Sequence, residues 1–381
     1  MKLVHTADLH IGKVVNEFSM CKDQDYVLKQ ILDIVKEEEA DALLIAGDVY
    51  DRSIPPAEAV NLLDEFLTEL VNRNIKVFLI SGNHDSPDRL NFAGSILNNS
   101  GVYIAGTFTE QMKKVSIADE YGMVHIHLLP YAKPQVMRYY LGDEYKEHEV
   151  EEYIKRNLKS NRERNILITH HFVTNQGVSP EQSDSEMPLS IGGTDCVDAG
   201  ALKEFDYVAL GHIHRGQKVK EEWIRYSGSP LKYSFSEVFH KKSVTVIELK
   251  EKGNLTIYER PLVALHDMRK IKGSLKELIK DETVQASDPN DYLQVTLTDT
   301  KELVDPIGTL RSVYPNVMQL ILEKNIRTER ELILVDEKIK NRSTLEIYSE
   351  FFETVTGRAF DEKRKEVIQT ALEEVGGGQA K

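Results

Sequence analysis

Five apolar runs in this chain end in the same way, and that shared ending limits the folds open to it. KLVHT runs into ADLH, ALLIA into GDVYD, KVFLI into SGNHD, NILIT into HH, and YVAL into GHIH. Short, mostly apolar runs rich in β-formers are what strands buried on both faces look like. Each is followed at once by carboxylate, imidazole or amide side chains. Turn chemistry accounts for Gly82 and Asn83 in SGNHD but not for His84 and Asp85 beside them.

The spacing between the runs sets the fold class. After the first strand, Val27, Leu28, Ile31, Ile34 and Val35 recur at helical spacing. Pro55 and Pro56 open a second helix, with Val60, Leu63, Phe66, Leu67 and Leu70 as its apolar face. Residues 87–98 read as helical, and GVYIAG follows as a strand. This β-α-β-α-β order implies parallel strands joined by helical crossovers. MVHIHLLP alternates with the period of a half-exposed strand, and NILITHHF, FDYVALGH, WIRYSGSP and SVTVIELK supply four more. The expectation is an α/β protein whose two-layer β core is flanked by helices. The charged stretch 138–164 reads as one solvated helix. The polar stretch 174–195 is a long loop near the site, and unstructured loops of that length tend to be functional.

Beyond residue 262 the pattern changes to a small β-α-β-α-β unit. A charged linker follows, and then a pair of helices opened by the capping-box sequence STLE. The boundaries expected are 1–262 for the main domain, 263–325 for a small α+β capping domain, 326–342 for the linker and 343–376 for the helix pair.

Bulk properties narrow the rest. A chain of 381 residues, 41% hydrophobic and 29% charged, is an ordinary globular composition. Its net charge of −14 argues against indiscriminate polyanion binding, so a nucleic-acid substrate would need metal ions or a partner to offset repulsion. Two distant cysteines, Cys21 and Cys196, form no disulfide framework or zinc knuckle. MKLVHTADLH lacks a signal-peptide core, and no run is long enough to cross a bilayer, so a cytoplasmic location without membrane attachment is expected.

In parallel α/β sheets, sites form at the carboxyl ends of strands, where all five polar clusters fall. Residues i and i+2 of an extended segment point to one side, so Asp8 with His10, and His212 with His214, can converge. Each cluster alone has a structural explanation as a turn, a cap or a buried histidine; five together point to a metal site. Carboxylate, imidazole and amide donors without thiolate suit borderline-to-hard divalent ions. The donors outnumber the needs of one ion, and Asp48 suits a bridging position between two.

HTADLHIGK, AGDVYDRSIPP, ISGNHDSPDRL, ALGHIHRGQ and YSGSPLKYSFSE together resemble the calcineurin-like metallophosphoesterase superfamily and, within it, the SbcD/Mre-type family of DNA repair nucleases. The resemblance spans nearly the whole chain. It implies a metallophosphoesterase β-sandwich. Asp8, His10, Asp48 and His214 would hold one metal, and Asp48, Asn83, His170 and His212 the other. His84 would contact the phosphate and assist catalysis. Alignment to the family pattern favours His170, two residues before Phe172, with His171 as the alternative. Some archaeal and eukaryotic relatives carry histidine where this chain has Asp51, whose role stays open.

The resemblance also implies manganese as the usual ion, with magnesium as the competitor, and DNA cleavage both as an exonuclease on double-stranded ends and as an endonuclease on hairpins or single strands. The partner implied is an SbcC-like coiled-coil ATPase, docked through Leu345, Tyr348, Phe351 and Phe352 of the helix pair. A homodimer is implied as well, with residues 87–98 as the candidate surface and a heterotetramer with the ATPase as the result. Lys13, Arg52, Arg89 and Lys232 are the foremost candidate DNA contacts; Arg215, Lys241 and Lys242 lie near the same motifs. Asp85 is expected to cap the helix after it, or else to orient His84. Two rivals share the superfamily. GDVYDRS resembles a protein phosphatase motif, although HHF departs from the H-G-G such enzymes carry. A small cyclic-nucleotide phosphodiesterase would need neither the capping domain nor the helix pair.

Overall fold

The computed structural model describes residues 1–142, 149–158, 162–186 and 196–323, together with 349, 352–353, 360–361, 364–365 and 367–368. Two six-stranded sheets face each other. In the first, strands Lys2–Thr6, Ala42–Ala46, Lys76–Ile80 and Val102–Ala105 run parallel, and Ser243–Leu249 and Leu255–Pro261 close one edge antiparallel. In the second, Gly122–Leu129, Arg164–Thr169, Tyr207–Leu210 and Glu221–Tyr226 are parallel, with Lys113–Asp119 and Gln217–Val219 as antiparallel edges.

Strand geometry explains why the central runs read as continuously apolar. In ALLIA, alternate side chains leave opposite faces. Ala42, Leu44 and Ala46 enter the layer between the sheets, beside Leu3, Phe78, Ile80, Ile166, Ile168 and Ala209. Leu43 and Ile45 turn outward and pack under helices. Both faces are therefore dry, and truncating a side chain such as Leu44 to alanine would cost about 2–5 kcal/mol.

Helices Cys21–Glu37 and Ala57–Asn72 cover the first sheet. The face predicted for Cys21–Glu37 is buried throughout, whereas in Ala57–Asn72 the buried stripe runs Ala59, Leu63, Phe66 and Leu70, and Val60 faces solvent. The second sheet is covered by Pro134–Leu141 and Glu149–Asn157, with Met137, Leu141, Tyr153 and Ile154 buried. The single helix expected over 138–164 is thus two, the first ending at Gly142, and Arg164 already begins a strand whose guanidinium is buried against Asp119. Residues 87–98 are not one helix either. Pro87–Leu90 and Gly94–Leu97 are separated by Ala93, whose φ of 58° cannot continue a right-handed helix.

The small unit after residue 262 has the expected order: parallel strands Met268–Gly273, Tyr292–Leu297 and Val317–Leu322, with short helices between them and a core of Leu278, Leu293, Val295, Leu310 and Val317. It is tied to the first helix by a buried carboxylate. Asp23 accepts from the Tyr292 hydroxyl at 2.7 Å and from the His266 backbone N–H at 3.1 Å. The linker and most of the terminal helix pair, with Leu345, Tyr348 and Phe351, lie outside the described residues; Phe352 packs on Phe360 with ring centroids 5.6 Å apart. Among the described residues no helix is long and apolar enough to cross a membrane.

Candidate metal centre

Strands Lys2–Thr6, Ala42–Ala46 and Lys76–Ile80 point their carboxyl ends the same way, as do Arg164–Thr169 and Tyr207–Leu210 in the facing sheet. The loops leaving them meet across the top of the sandwich. The first two are laced together by backbone hydrogen bonds, Asp8 N–H to Gly47 O at 3.1 Å, His10 N–H to Asp48 O at 2.9 Å and Ile11 N–H to Val49 O at 2.9 Å.

Close approach dictates the glycines. A Cβ on Gly82 would lie 2.1 Å from Asp48 Oδ1, and one on Gly211 would lie 1.9 Å from the Ala46 carbonyl oxygen. Side chains would force the loops apart, which is why GNHD and GHIH begin as they do. Strain accompanies the crowding. Asp8, His10, Asp48 and His212 have φ of 53°, 45°, 48° and 90°, a region that ordinarily costs a non-glycine residue about 1–3 kcal/mol.

The side chains so held form one cluster. Asp8, His10, Asp48, His170, His212 and His214 are each at most 4% exposed. His10 Nε2 lies 3.1 Å from His214 Nε2, and both are grouped with an Asp8 carboxylate oxygen within 4.8 Å. Asn83 Oδ1 lies 3.1 Å from His170 Nε2 and 3.1 Å from His212 Nδ1. His170 Nε2 is 3.3 Å from Asp48 Oδ2, which is 3.7 Å from His10 Nε2, so Asp48 stands between the two groups. Asp8 Oδ1 accepts the His212 N–H at 2.9 Å.

Of the adjacent histidines, His170 enters this cluster and His171 does not. His170 Nδ1–H donates to the Ala46 carbonyl at 2.7 Å, which leaves Nε2 as the nitrogen that faces the cluster. The His171 ring turns away, with Nδ1 3.0 Å from Thr169 Oγ1 and its face near Tyr131. His84 sits at the rim with its side chain 16% exposed, against 3% for Asp48. Its backbone N–H donates to Asp48 Oδ1 at 2.9 Å. Its Nδ1 lies 2.9 Å from the Asp51 carbonyl, which can only accept, so Nδ1 carries the proton and Nε2 faces the pocket 3.9 Å from Asp48 Oδ2.

The electrostatics suit cations. Burial, reinforced by the Asp48 carboxylate against the nearby imidazoles, pushes the Asp8 carboxyl up to about 7. Burial would raise Asp48 too, but the imidazoles of His170, His10 and His84 hold it well below the usual carboxylate range. Burial lowers His170 as well, yet the Asp48 and Asp8 carboxylates overturn that and raise it to about 9. Burial keeps His10 neutral, down at about 3, and His212 neutral too. The buried carboxylates, the imidazoles and an amide oxygen form an oxygen and nitrogen donor set that fits divalent ions, and the proton that the carboxylates hold on His170 in the metal-free chain would leave when an ion binds.

Several supporting roles were not read from sequence. Asp85 does not cap the helix behind it. Its carboxylate accepts the N–H groups of Val49 (3.0 Å), Tyr50 (2.9 Å) and Gly82 (2.9 Å), pinning the Asp48 loop to the Asn83 loop, while burial pushes its pKa up to about 6. Gln24, a polar residue on the apolar face of the first helix, donates to the His10 carbonyl at 2.6 Å. Tyr233 donates to the Leu9 carbonyl at 2.5 Å, and its ring lies 5.5 Å from that of His10. Glu237 and Lys242 lie behind His214.

The candidate DNA contacts divide. Arg52 and Arg89 are exposed, although Arg52 stands 3.9 Å from Asp51. Lys13 is engaged with Asp51 at 2.6 Å, and Lys232 with Asp267 at 2.7 Å, where it ties the small unit to the main body. Lys242 is buried, Lys241 is exposed and Arg215 pairs with Glu181.

Residues 1–216 match the model of the calcineurin-like phosphoesterase family, and residues 264–356 match a model described as the type 5 capsule protein repressor C-terminal domain. The chain is 32% identical over 379 residues to a Staphylococcus epidermidis protein named as the SbcD subunit of the nuclease SbcCD, an alignment covering 98% of both. Among solved structures it is similar to a dimetal phosphatase from Danio rerio, at 12% identity and a TM-score of 0.41 over 70% of this chain and 98% of that one. A Thermus thermophilus protein, TT1561, matches at 12% identity and a TM-score of 0.38 over 68% and 98%.

Proposed function

The chain belongs to the calcineurin-like phosphoesterase family, and within it we propose that it works as the nuclease subunit of a DNA-processing complex with an SbcC-like ATPase. It is a metal-dependent phosphodiesterase. The observation that carries this reading is the meeting of Asp8, Asp48, Asn83, His170 and His212 from five separate loops in a chain matched end to end by a nuclease subunit. That end-to-end match extends through the small domain and past it, which a stand-alone phosphatase or cyclic-nucleotide phosphodiesterase would not require.

In this reading Asp8, His10, Asp48 and His214 hold one divalent ion, and Asp48, Asn83, His170 and His212 the other, with manganese as the working ion. Bound ions of this kind offset phosphodiester charge and supply a hydroxide nucleophile near neutral pH. The chain's own groups do the rest. Asp48 fixes the spacing of the two sites. The loop hydrogen bonds and strained backbone hold the donors in place before substrate arrives, so little reorganisation remains at the moment of reaction. His84, the most exposed of the cluster's imidazoles, presents Nε2 to a phosphate oxygen and, when protonated, donates to the leaving oxygen.

Further parts of the reading rest on surfaces. Arg52 and Arg89 are exposed to solvent and serve as phosphate contacts, whereas Lys13 and Lys232 would have to leave carboxylate partners to do so. Phe92 and Ile96, 81% and 72% exposed on segment 87–98, support a homodimer through that face and hence a heterotetramer with the ATPase. The domain limits 1–262, 263–325, 326–342 and 343–376, with the terminal pair as the ATPase-docking element, and a cytoplasmic location complete the proposal. The test is cleavage of end-labelled duplex and hairpin DNA with manganese, ATP and the ATPase partner. Wild type cuts, and His84→Gln retains its metal without cutting. Equal cutting by both proteins would remove His84 from its role.

A further inference from the structure

The two halves of the cluster are backed differently. His170 is held from behind by a main-chain carbonyl, that of Ala46. His214 is held by a carboxylate. Glu237 is wholly buried, and its Oε1 lies 3.4 Å from His214 Nδ1. Ser185 Oγ stands between them, 2.7 Å from His214 Nδ1 and 2.5 Å from Glu237 Oε1. A carboxylate can only accept, so the serine hydroxyl gives its proton to Glu237 and takes the Nδ1–H of His214 on its lone pair. The proton on His214 is thereby fixed at Nδ1, and Nε2 turns its lone pair inward, towards His10 Nε2 at 3.1 Å. Glu237 is locked in turn by Lys242, whose ammonium donates to Glu237 Oε2 (2.5 Å), Ser229 Oγ (2.8 Å) and the His214 carbonyl (2.8 Å). All three ammonium protons are used, and the charges of Glu237 and Lys242 offset each other. Behind His10 the carboxylate stands farther off: Asp51 Oδ1 lies 3.6 Å from Nδ1, beyond hydrogen-bond reach, and is itself paired with Lys13 at 2.6 Å.

We propose that Glu237 is a positioning residue for the cation site of Asp8, His10 and His214, orienting the His214 imidazole and raising its donor strength through Ser185. The cation site bordered by His170 has a main-chain carbonyl in the corresponding place, so the two sites differ in affinity, the carboxylate-backed one being tighter. This inference rests on the reading of those residues as cation ligands. A Glu237 that served only as a turn anchor, accepting from the Tyr233 N–H at 3.3 Å, would not make one cation site depend on its charge.

The test is calorimetric titration of the full-length, metal-free chain with Mn2+, alone and as Glu237→Gln and Ser185→Ala, with circular dichroism to confirm folding. Glutamine keeps the shape and an acceptor oxygen but not the charge. Wild type should show two sites, and Glu237→Gln should weaken one of them by about ten- to a hundredfold while the other keeps its affinity. Ser185→Ala, which leaves the buried ion pair intact, should weaken the same site by a smaller factor. If Glu237→Gln folds and binds both ions as wild type does, or weakens both equally, the inference is wrong. If Glu237→Gln does not fold, Ser185→Ala decides alone, and unchanged binding overturns the inference. A wild-type chain that takes up fewer than two ions would instead overturn the two-ion reading beneath it.

Discussion

Gly82→Ala is the substitution whose cost follows most directly from the geometry. Gly82 does not use a left-handed backbone, so alanine meets no torsional penalty there. What it meets is Asp48. The new Cβ would lie 2.1 Å from Oδ1 and 2.4 Å from the backbone nitrogen of that residue, where ordinary contact begins near 3.4 Å. The carboxylate must therefore retreat by more than 1 Å, or the whole loop must move with it. Asp48 stands 3.3 Å from His170 and 3.7 Å from His10, and it also receives the His84 N–H, so one displacement disturbs both halves of the cluster and His84. A misplacement of about 1 Å at a reacting centre costs about a hundredfold in rate, which is about 2.7 kcal/mol of transition-state stabilisation. The assay is kcat/KM on end-labelled duplex DNA with manganese and the ATPase partner. Gly253→Ala is the control: its φ of +83° is strained but nothing lies within 4 Å, so it should lose stability and keep activity. Gly82→Ala with kcat/KM within about threefold of wild type would refute the reasoning.

Other outcomes follow from the same geometry. Asp85→Asn replaces an acceptor of three backbone N–H groups with an amide that has one acceptor oxygen, so urea unfolding should show a loss of about 1–3 kcal/mol. His170→Asn should abolish binding of one Mn2+ in calorimetry, whereas His171→Asn, whose parent ring points away from the cluster, should leave both ions bound. The metal-free chain should lose thermal stability as pH rises from about 6.5 to 9. His170, raised to about 9, and Asp8, raised to about 7, bind more protons folded than unfolded in that window, so their stabilisation fades as those protons leave. Adding Mn2+ should flatten the trend; a metal-free melting temperature that climbs with pH would contradict the assigned shifts.

The convergence of these side chains was legible because its signal is local. A polar group one or two residues past a buried strand appears in sequence as an apolar run followed by D-x-H, G-N-H or H-x-H, and parallel topology then forces those ends together. What supports the cluster was not legible. Glu237 reaches His214 across 23 positions, and Asp85 reaches Tyr50 across 35, distances over which no periodicity operates. Gln24 left a trace, as an amide on a helix face otherwise lined by Cys21, Val27, Leu28 and Ile31, but that trace does not name its partner. The edge strands Lys113–Asp119 and Leu255–Pro261 escaped because they are half exposed and carry charges among their apolar positions. The one helix expected over 138–164 failed for a related reason: a charged run shows that a face is solvated and says little about where Gly142 interrupts it.

The most direct test of the account is anomalous diffraction from crystals of this chain grown with Mn2+. Two manganese peaks about 3.5–4 Å apart should appear, one among Asp8, His10, Asp48 and His214 and the other among Asp48, Asn83, His170 and His212. A single peak, or peaks that leave Asp48 uncoordinated, would contradict it.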